Sequence, residues 1–286
     1  KICYTFFMID LHTHTKNSDG NLTSRELVFY AAEKGIRVLA ITDHDTTDGL
    51  SEGQKAAKKV GIVFVPGVEL NISWPTGEFH LLGLGLKETS SELNAIIQNL
   101  KQDRKNRNSK IIEMLQQDGF PISEKELREM FPDSNLGRPH IASFLVSKKI
   151  CKNTQQAFDK YLGKQRPYYV NREGADLDLA IQAIKTSGGV PVLAHPLSLY
   201  ISYGKIEPVL INLKERGIQG LEAFHPGARK TDALRLEELA RKIGFFVTGG
   251  SDFHGEKIHI GRKIGHACGG EKIPERLWFQ ELLPKI

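Results

Sequence analysis

Cysteine is scarce in this 286-residue chain: Cys3, Cys151 and Cys268 are the three it has, far apart and odd in number. That argues against a disulfide framework and fits a reducing cytosol, so a cytoplasmic location is expected. No apolar run approaches the roughly 18–20 residues of a membrane span, and no membrane partner is expected. Lys1 to Ile9 is too short for a secretory signal and has no small-residue cleavage site. Met8 is a candidate start, which leaves residues 1–7 open as native or added sequence. Low-complexity tails are missing too. A strong charge of either sign is also absent. The net charge of +5 suits anionic substrates but does not by itself signal nucleic-acid binding. What remains, 40% hydrophobic and 26% charged, is an ordinary globular composition, long enough for one large α/β barrel with or without an insertion.

The chain alternates between apolar runs of strand length and amphipathic helical patterns. A first strand is predicted over about Phe6 to Leu11. A polar loop follows, then a helix over Arg25 to Lys34 that Thr23 or Ser24 can cap and Gly35 closes. Val38 to Thr42 reads as the second strand and Leu50 to Val60 as a helix closed by Gly61. Ile62 to Val65 reads as the third strand, ending in Gly67-Val68-Glu69. Such alternation predicts parallel βαβ packing with strands buried on both faces. Phe79 to Leu86 reads as a fourth strand, but Asn71 to Glu78 is too short for a crossover helix, so a hairpin and an antiparallel strand are expected. That places His80 at the same end of the sheet as Glu69. After a helical stretch, strands recur over Gly189 to Ala194, Gly220 to Phe224 and Phe245 to Gly250. Helices are expected over Leu177 to Thr186, near Pro208 to Arg216 and near Asp232 to Ile243. The total is seven strands. The expected organisation is a barrel from residues 1–87 and 171–286, with residues 88–170 a helical insertion covering its mouth.

His12, His14, Asp43, His44, Glu69, His195, His225, Asp252 and His254 all fall at or just past the C-terminal ends of these strands. In a (β/α) barrel that rim is where active sites are built. One strand-end histidine is ordinary loop or core decoration; coincidence at this many strand ends is hard to maintain. Imidazoles mixed with carboxylates, and no cysteine nearby, favour a catalytic cluster of divalent metals over a structural zinc site. Such a cluster acidifies bound water and clamps phosphoryl oxygens.

The chain resembles the PHP (polymerase and histidinol phosphatase) family. The resemblance rests on Asp10-Leu11-His12-Thr13-His14, Ile41-Thr42-Asp43-His44, Gly67-Val68-Glu69, Ala194-His195-Pro196 and Gly250-Ser251-Asp252-Phe253-His254. It implies a distorted seven-stranded β/α barrel with a trinuclear metal centre. Length and insertion resemble the branch of 3′,5′-nucleoside bisphosphate phosphatases, whose members also trim 5′ ends of short RNA. By that resemblance His12, His14, Glu69 and Asp252 would hold one metal, and Asp19, His44 and His254 a second. Glu69, His80 and His195 would hold a third, with Glu69 bridging. Asp43 would orient a ligand imidazole rather than bind metal. His225 stays open between contacting phosphate, donating a proton to the leaving oxygen, and a structural role.

Substrate contacts are sought in the insertion. The predicted helix Ser91 to Gln117 carries an apolar stripe at Leu93, Ile96, Ile97 and Leu100, resuming at Ile111, Met114 and Leu115, with Arg104 and Arg107 on the same stripe. Arginines in a buried-facing stripe need anionic partners, either a substrate phosphate or a barrel carboxylate. Arg138 and His140 are similar candidates. The expected function is a metal-dependent phosphoesterase acting, through a metal-bridging hydroxide, on 3′,5′-bisphosphorylated nucleotides or short single-stranded RNA. Three divalent ions are expected, manganese first, with iron or zinc as alternatives, and no stable protein partner. The rivals are a PHP phosphatase of another small phosphomonoester such as histidinol phosphate, an amidohydrolase-type hydrolase, and a non-catalytic nucleic-acid-binding domain. No strand ends in the bridging lysine common in amidohydrolases, and no ligand position is missing, as it should be in a degenerate domain.

Overall fold

A computed structural model describes residues 7–132, 136–171, 173–256, 258 and 261–286. Cys3, the start of the expected first strand at Phe6, and His259 lie outside these. Seven strands form one sheet in sequence order: β1 (Met8–Asp10), β2 (Ile36–Ile41), β3 (Val63–Ile72), β4 (Phe79–Leu84), β5 (Val190–Leu193), β6 (Gly220–Phe224) and β7 (Phe246–Gly249). Helices α1 (Ser24–Glu33) and α2 (Leu50–Val60) follow β1 and β2. Between β4 and β5 come α3 (Ser91–Gln117), α4 (Glu124–Met130), α5 (Arg138–Ser147), α6 (Thr154–Ala157) and α7 (Leu177–Thr186). Helices α8 (Tyr203–Arg216) and α9 (Lys230–Ile243) follow β5 and β6. Among the described residues no helix is long and apolar enough to cross a membrane.

Local chemistry accounts for the helix ends. Thr23 caps α1: its hydroxyl accepts from Glu26 N at 3.1 Å, and the Glu26 carboxylate accepts from Thr23 N at 2.8 Å. This reciprocal box satisfies two otherwise orphaned donors. Pro208 was expected to open α8 but lies inside it, because the helix begins at Tyr203. Proline removes the N–H that would pair with Gly204 O, and Gly204 is solvent-exposed, so water can serve that carbonyl.

The expected hairpin is present. Strand β4 pairs antiparallel with both β3 and β5, while β1–β2, β2–β3, β5–β6 and β6–β7 are parallel. Strand β3 is longer than its apolar run predicts. Val63 to Pro66 pair with β2, and Gly67 to Ile72 pair with β4. Glu69 therefore lies within a strand rather than past its end. Strand β4 pairs along one side there, while Glu69 N donates to Asp43 O at 3.2 Å and Glu69 O accepts from Asp45 N at 2.9 Å in the loop after β2.

The first and last strands meet at the rim. Thr13 and Phe253 form a parallel bridge, and Asp252 N donates to His12 O at 2.9 Å. Gly250 permits this approach, since a Cβ there would lie 2.1 Å from His12 Cβ. Strand β2 is buried on both faces. Val38 and Ala40 join the central core with Leu70 and Leu81, while Leu39 and Ile41 pack with Leu27, Val28 and Ala57 under α1 and α2. That alternation is the two-residue period of a strand. Helix α3 serves two cores. Leu93, Ile97 and Leu100 pack into the central one, whereas Ile111 and Leu115 join Ile141, Phe144, Leu145 and Leu162 in a separate helical cluster.

Candidate metal centre

Glu69 is the hub of the rim. It is buried, and its two carboxylate oxygens face different histidines. Oε2 lies 2.9 Å from His44 Nδ1 and 3.3 Å from both His12 Nε2 and His14 Nε2. Oε1 lies 2.9 Å from His80 Nδ1 and 3.0 Å from His195 Nε2. Asp19 and Asp252 complete the ring. Asp19 Oδ1 is 3.1 Å from His254 Nε2, and Asp252 Oδ1 is 3.1 Å from His14 Nε2. Three overlapping sets have donor atoms within 4.8 Å of one another: His14, Asp19, His44 and His254; His12, His14 and Glu69; and His44, Glu69 and His80.

Two observations test whether these residues fit metal ions. First, several short approaches are not hydrogen bonds. Glu69 Oε2, His44 Nδ1, Asp19 Oδ1 and His14 Nδ1 are buried and lack an aligned hydrogen bond, although Glu69 and His44 nearly touch. Lone pairs converging on a common point behave this way. Second, three imidazoles have their outer nitrogen occupied. His12 Nδ1 meets Glu222 Oε1 at 3.0 Å, His195 Nδ1 meets Ser198 Oγ at 2.9 Å, and His254 Nδ1 meets Asp252 O at 2.9 Å. Ser198 Oγ itself donates to Glu78 O, so it accepts from His195. Each outer acceptor fixes a proton on Nδ1 and turns the Nε2 lone pair inward, the arrangement of metal-bound histidine. The donor set fits divalent metal.

Without metal, protons balance the charge. Burial pushes Glu69 up, but His44, His80 and His12 outweigh it and hold the carboxyl well below its usual range. His12 is drawn well above the usual histidine value, because Glu222 and Glu69 overcome its burial. His254 rises to about 9 as Asp19 and Asp252 overcome the same penalty. His14 falls to about 3 through burial and the neighbouring His254 and His44. The backbone is held tightly here as well. Asp45, His195, Tyr200 and Asp252, all at or beside the rim, are non-glycine residues with φ between 27° and 53°, a conformation that surrounding structure must enforce.

Asp43 does a different job from the one expected. Its carboxylate accepts from Thr15 N, Thr15 Oγ1 and Ser18 Oγ, each at 2.6 Å, and so ties down the loop carrying His14 and Asp19 rather than an imidazole. His225 Nδ1 accepts from Gly227 N at 3.0 Å, which leaves its proton on Nε2, 3.3 Å from Asp252 Oδ2.

The cleft lined by these histidines and carboxylates has a volume of about 490 Å³. Arg104, Arg107, Arg138 and His140 are not among its described lining residues. Arg104 is buried and pairs with Asp45 at 2.6 Å, the barrel-carboxylate alternative. Arg107 is buried in the same stripe. Arg138 reaches Glu78 at 3.3 Å and lies over the Tyr169 ring, while His140 Nδ1 accepts from Gly137 N at the start of α5. Helical periodicity identifies such side chains as buried-facing, but not the partner they meet.

Two residues of the cleft are not marked by the sequence reading. Glu222 accepts from His12 through Oε1 and from His195 N through Oε2 at 2.9 Å, joining two rim histidines. A readable signal existed, since a glutamate inside the apolar run of β6 needs a reason to be buried. Arg262, in the loop after β7, lines the cleft against Asp252, and nothing in its sequence context marked it.

A family model described as the PHP domain matches residues 10–137. The chain is 34% identical to a 5′-3′ exoribonuclease of Haemophilus influenzae over 86% of this chain and 89% of that protein. It is 33% identical to a 3′,5′-nucleoside bisphosphate phosphatase of Chromobacterium violaceum over 97% of each. A solved Chromobacterium violaceum structure, described as an amidohydrolase with sulfate and no metal, superposes with a TM-score of 0.86. It is 31% identical over 97% of this chain and 96% of that one.

Proposed function

The chain belongs to the PHP family, and from that premise we propose that it is a metal-dependent phosphoesterase. It hydrolyses a terminal phosphate of 3′,5′-bisphosphorylated nucleotides or releases 5′ nucleotides from short oligoribonucleotides. The observation that carries this reading is Glu69: one buried carboxylate shared by five histidines. His12, His14, Glu69 and Asp252 would hold one ion, Asp19, His44 and His254 a second, and Glu69, His80 and His195 a third. Manganese is the first candidate. When bound, the ions supply Lewis acidity toward phosphoryl oxygens and lower the pKa of water.

The remaining work falls to the chain. Glu222 keeps His12 and His195 in their metal-binding orientation. Asp43 holds the loop that presents Asp19. His225, whose Nε2 proton faces Asp252, would donate to the leaving oxygen. Tyr200, 75% exposed on the cleft lining, offers a ring face on which a base can stack whatever its identity. A cytoplasmic location fits the free thiols of Cys151 and Cys268.

The test is an assay of purified, manganese-loaded protein with adenosine 3′,5′-bisphosphate and a 5′-phosphorylated oligoribonucleotide. Release of phosphate or nucleotide is expected. Silence on both substrates, with metal content verified, would refute the proposal. Histidinol phosphate as a competing substrate separates the nearest alternative, which predicts the faster rate there. An amidohydrolase reading is disfavoured because no lysine is among the described residues lining the cleft.

A further inference from the structure

We propose that Arg262 grips the phosphoryl group undergoing hydrolysis, an assignment that rests on the phosphoesterase reading above. Asp19, Glu69, Glu78, Glu222 and Asp252 all line the cleft, and Arg262 is the single arginine or lysine among its described lining residues. An anionic substrate entering this cleft meets five carboxylates. Bound metals offset some of that charge, and the protein's own permanent cation here is Arg262.

Its attachment sets its position. Arg262 Nη1 donates to Asp252 Oδ2 at 2.5 Å and to Asp252 O at 3.1 Å. Asp252 is divided between two neighbours. Its Oδ1 faces His14 Nε2 at 3.1 Å, within the ligand cluster, while Oδ2 faces Arg262 and His225. The guanidinium is thus one carboxylate away from the rim histidines. One nitrogen anchors it, and among the described residues Nε and Nη2 make no hydrogen bond. The side chain is 24% exposed and lines the cleft. A planar fork held at one nitrogen and open at the others suits bidentate contact with two phosphoryl oxygens. The arginines of α3 do not offer this, since Arg104 is buried and turned to Asp45.

The competing role is positional, with Arg262 merely holding Asp252 for metal binding. Arg262→Ala and Arg262→Lys separate the two. Metal content by elemental mass spectrometry, melting temperature, and calorimetric affinity for inorganic phosphate are measured on manganese-loaded protein, beside KM and kcat. The expected result is unchanged metal content and a weakening of phosphate affinity by about tenfold to a hundredfold in the alanine variant, the scale of a charge-assisted hydrogen bond. Lysine should recover part of that loss, because charge survives without the fork. The fall in kcat/KM should be equal for adenosine 3′,5′-bisphosphate and for a singly phosphorylated nucleotide. Unchanged phosphate affinity overturns the assignment. So does lost metal with phosphate affinity restored on reloading, or a loss confined to the bisphosphate, which would place Arg262 on the second phosphate. Phosphate affinity is read without turnover, so an inactive wild type would count against the phosphoesterase reading and leave the Arg262 assignment to be judged on binding. If the alanine variant does not fold, the lysine variant carries the same comparison.

Discussion

The rim of the barrel and the buried stripe of α3 both drew attention through pattern, yet they turned out differently. At the rim, His12, His14, His44, Glu69, His80, His195, Asp252 and His254 converge on one cleft. On α3, Arg104 and Arg107 are buried as the stripe requires, but Arg104 is neutralised by Asp45 inside the protein. The reason is geometric. Parallel strands bring their C-terminal ends to one end of the sheet, so polar residues there become neighbours without further information. A helix face meets whatever docks against it, and here that is the loop of His44 and Asp45, which has its own carboxylate to neutralise.

Breaking the rim should have the largest effect. Replacing His12 and His14 together with alanine should abolish turnover and metal binding while the barrel stays folded, as checked by circular dichroism and elemental analysis; full activity in that double variant would sink the ligand assignment. The stripe should respond in stability instead. Arg104→Met removes one side of a buried ion pair with Asp45, which costs about 3–5 kcal/mol. A chemical denaturation curve reads this directly, and adding Asp45→Asn should recover much of it. A raised KM with unchanged stability would instead return Arg104 to substrate binding.

Glu222→Gln sharpens the comparison, since it alters a residue that supports the rim from behind. Loss of an outer partner of a ligand histidine costs about 10- to 100-fold in metal affinity or activity. Competition against a chelator measures it, and wild-type affinity would reduce Glu222 to a core residue. The smallest effect concerns pH. His254 is pushed down by burial but raised to about 9 by Asp19 and Asp252. A histidine with a raised folded pKa contributes stability that is complete below its unfolded value of 6.5 and is lost as pH rises through about 9. Chelator-treated protein should therefore lose melting temperature across that window, and metal-loaded protein should not, because the ions replace the protons. Equal slopes in both forms would mean that metal does not occupy these nitrogens.

The sequence by itself determined the seven strands, the hairpin that returns His80 to Glu69, and the polar residues gathered at the rim. These follow from short-range regularities: apolar run length, the residues between runs, and which polar residue ends each run. Tertiary structure decided the rest. Strand β3 continues through Glu69 because β4 pairs along one side and the loop after β2 takes Glu69's own N–H and C=O, through Asp43 O and Asp45 N. Asp43 serves Thr15 and Ser18 because the loop folds over it. Arg262 lies in the cleft because the chain after β7 returns to Asp252. Glu222 stands between the two cases, since its burial was readable from the apolar run and its partners were not. Periodicity reports whether a side chain is buried, whereas its partner depends on contacts between residues as distant in sequence as His12 and Glu222, 210 positions apart.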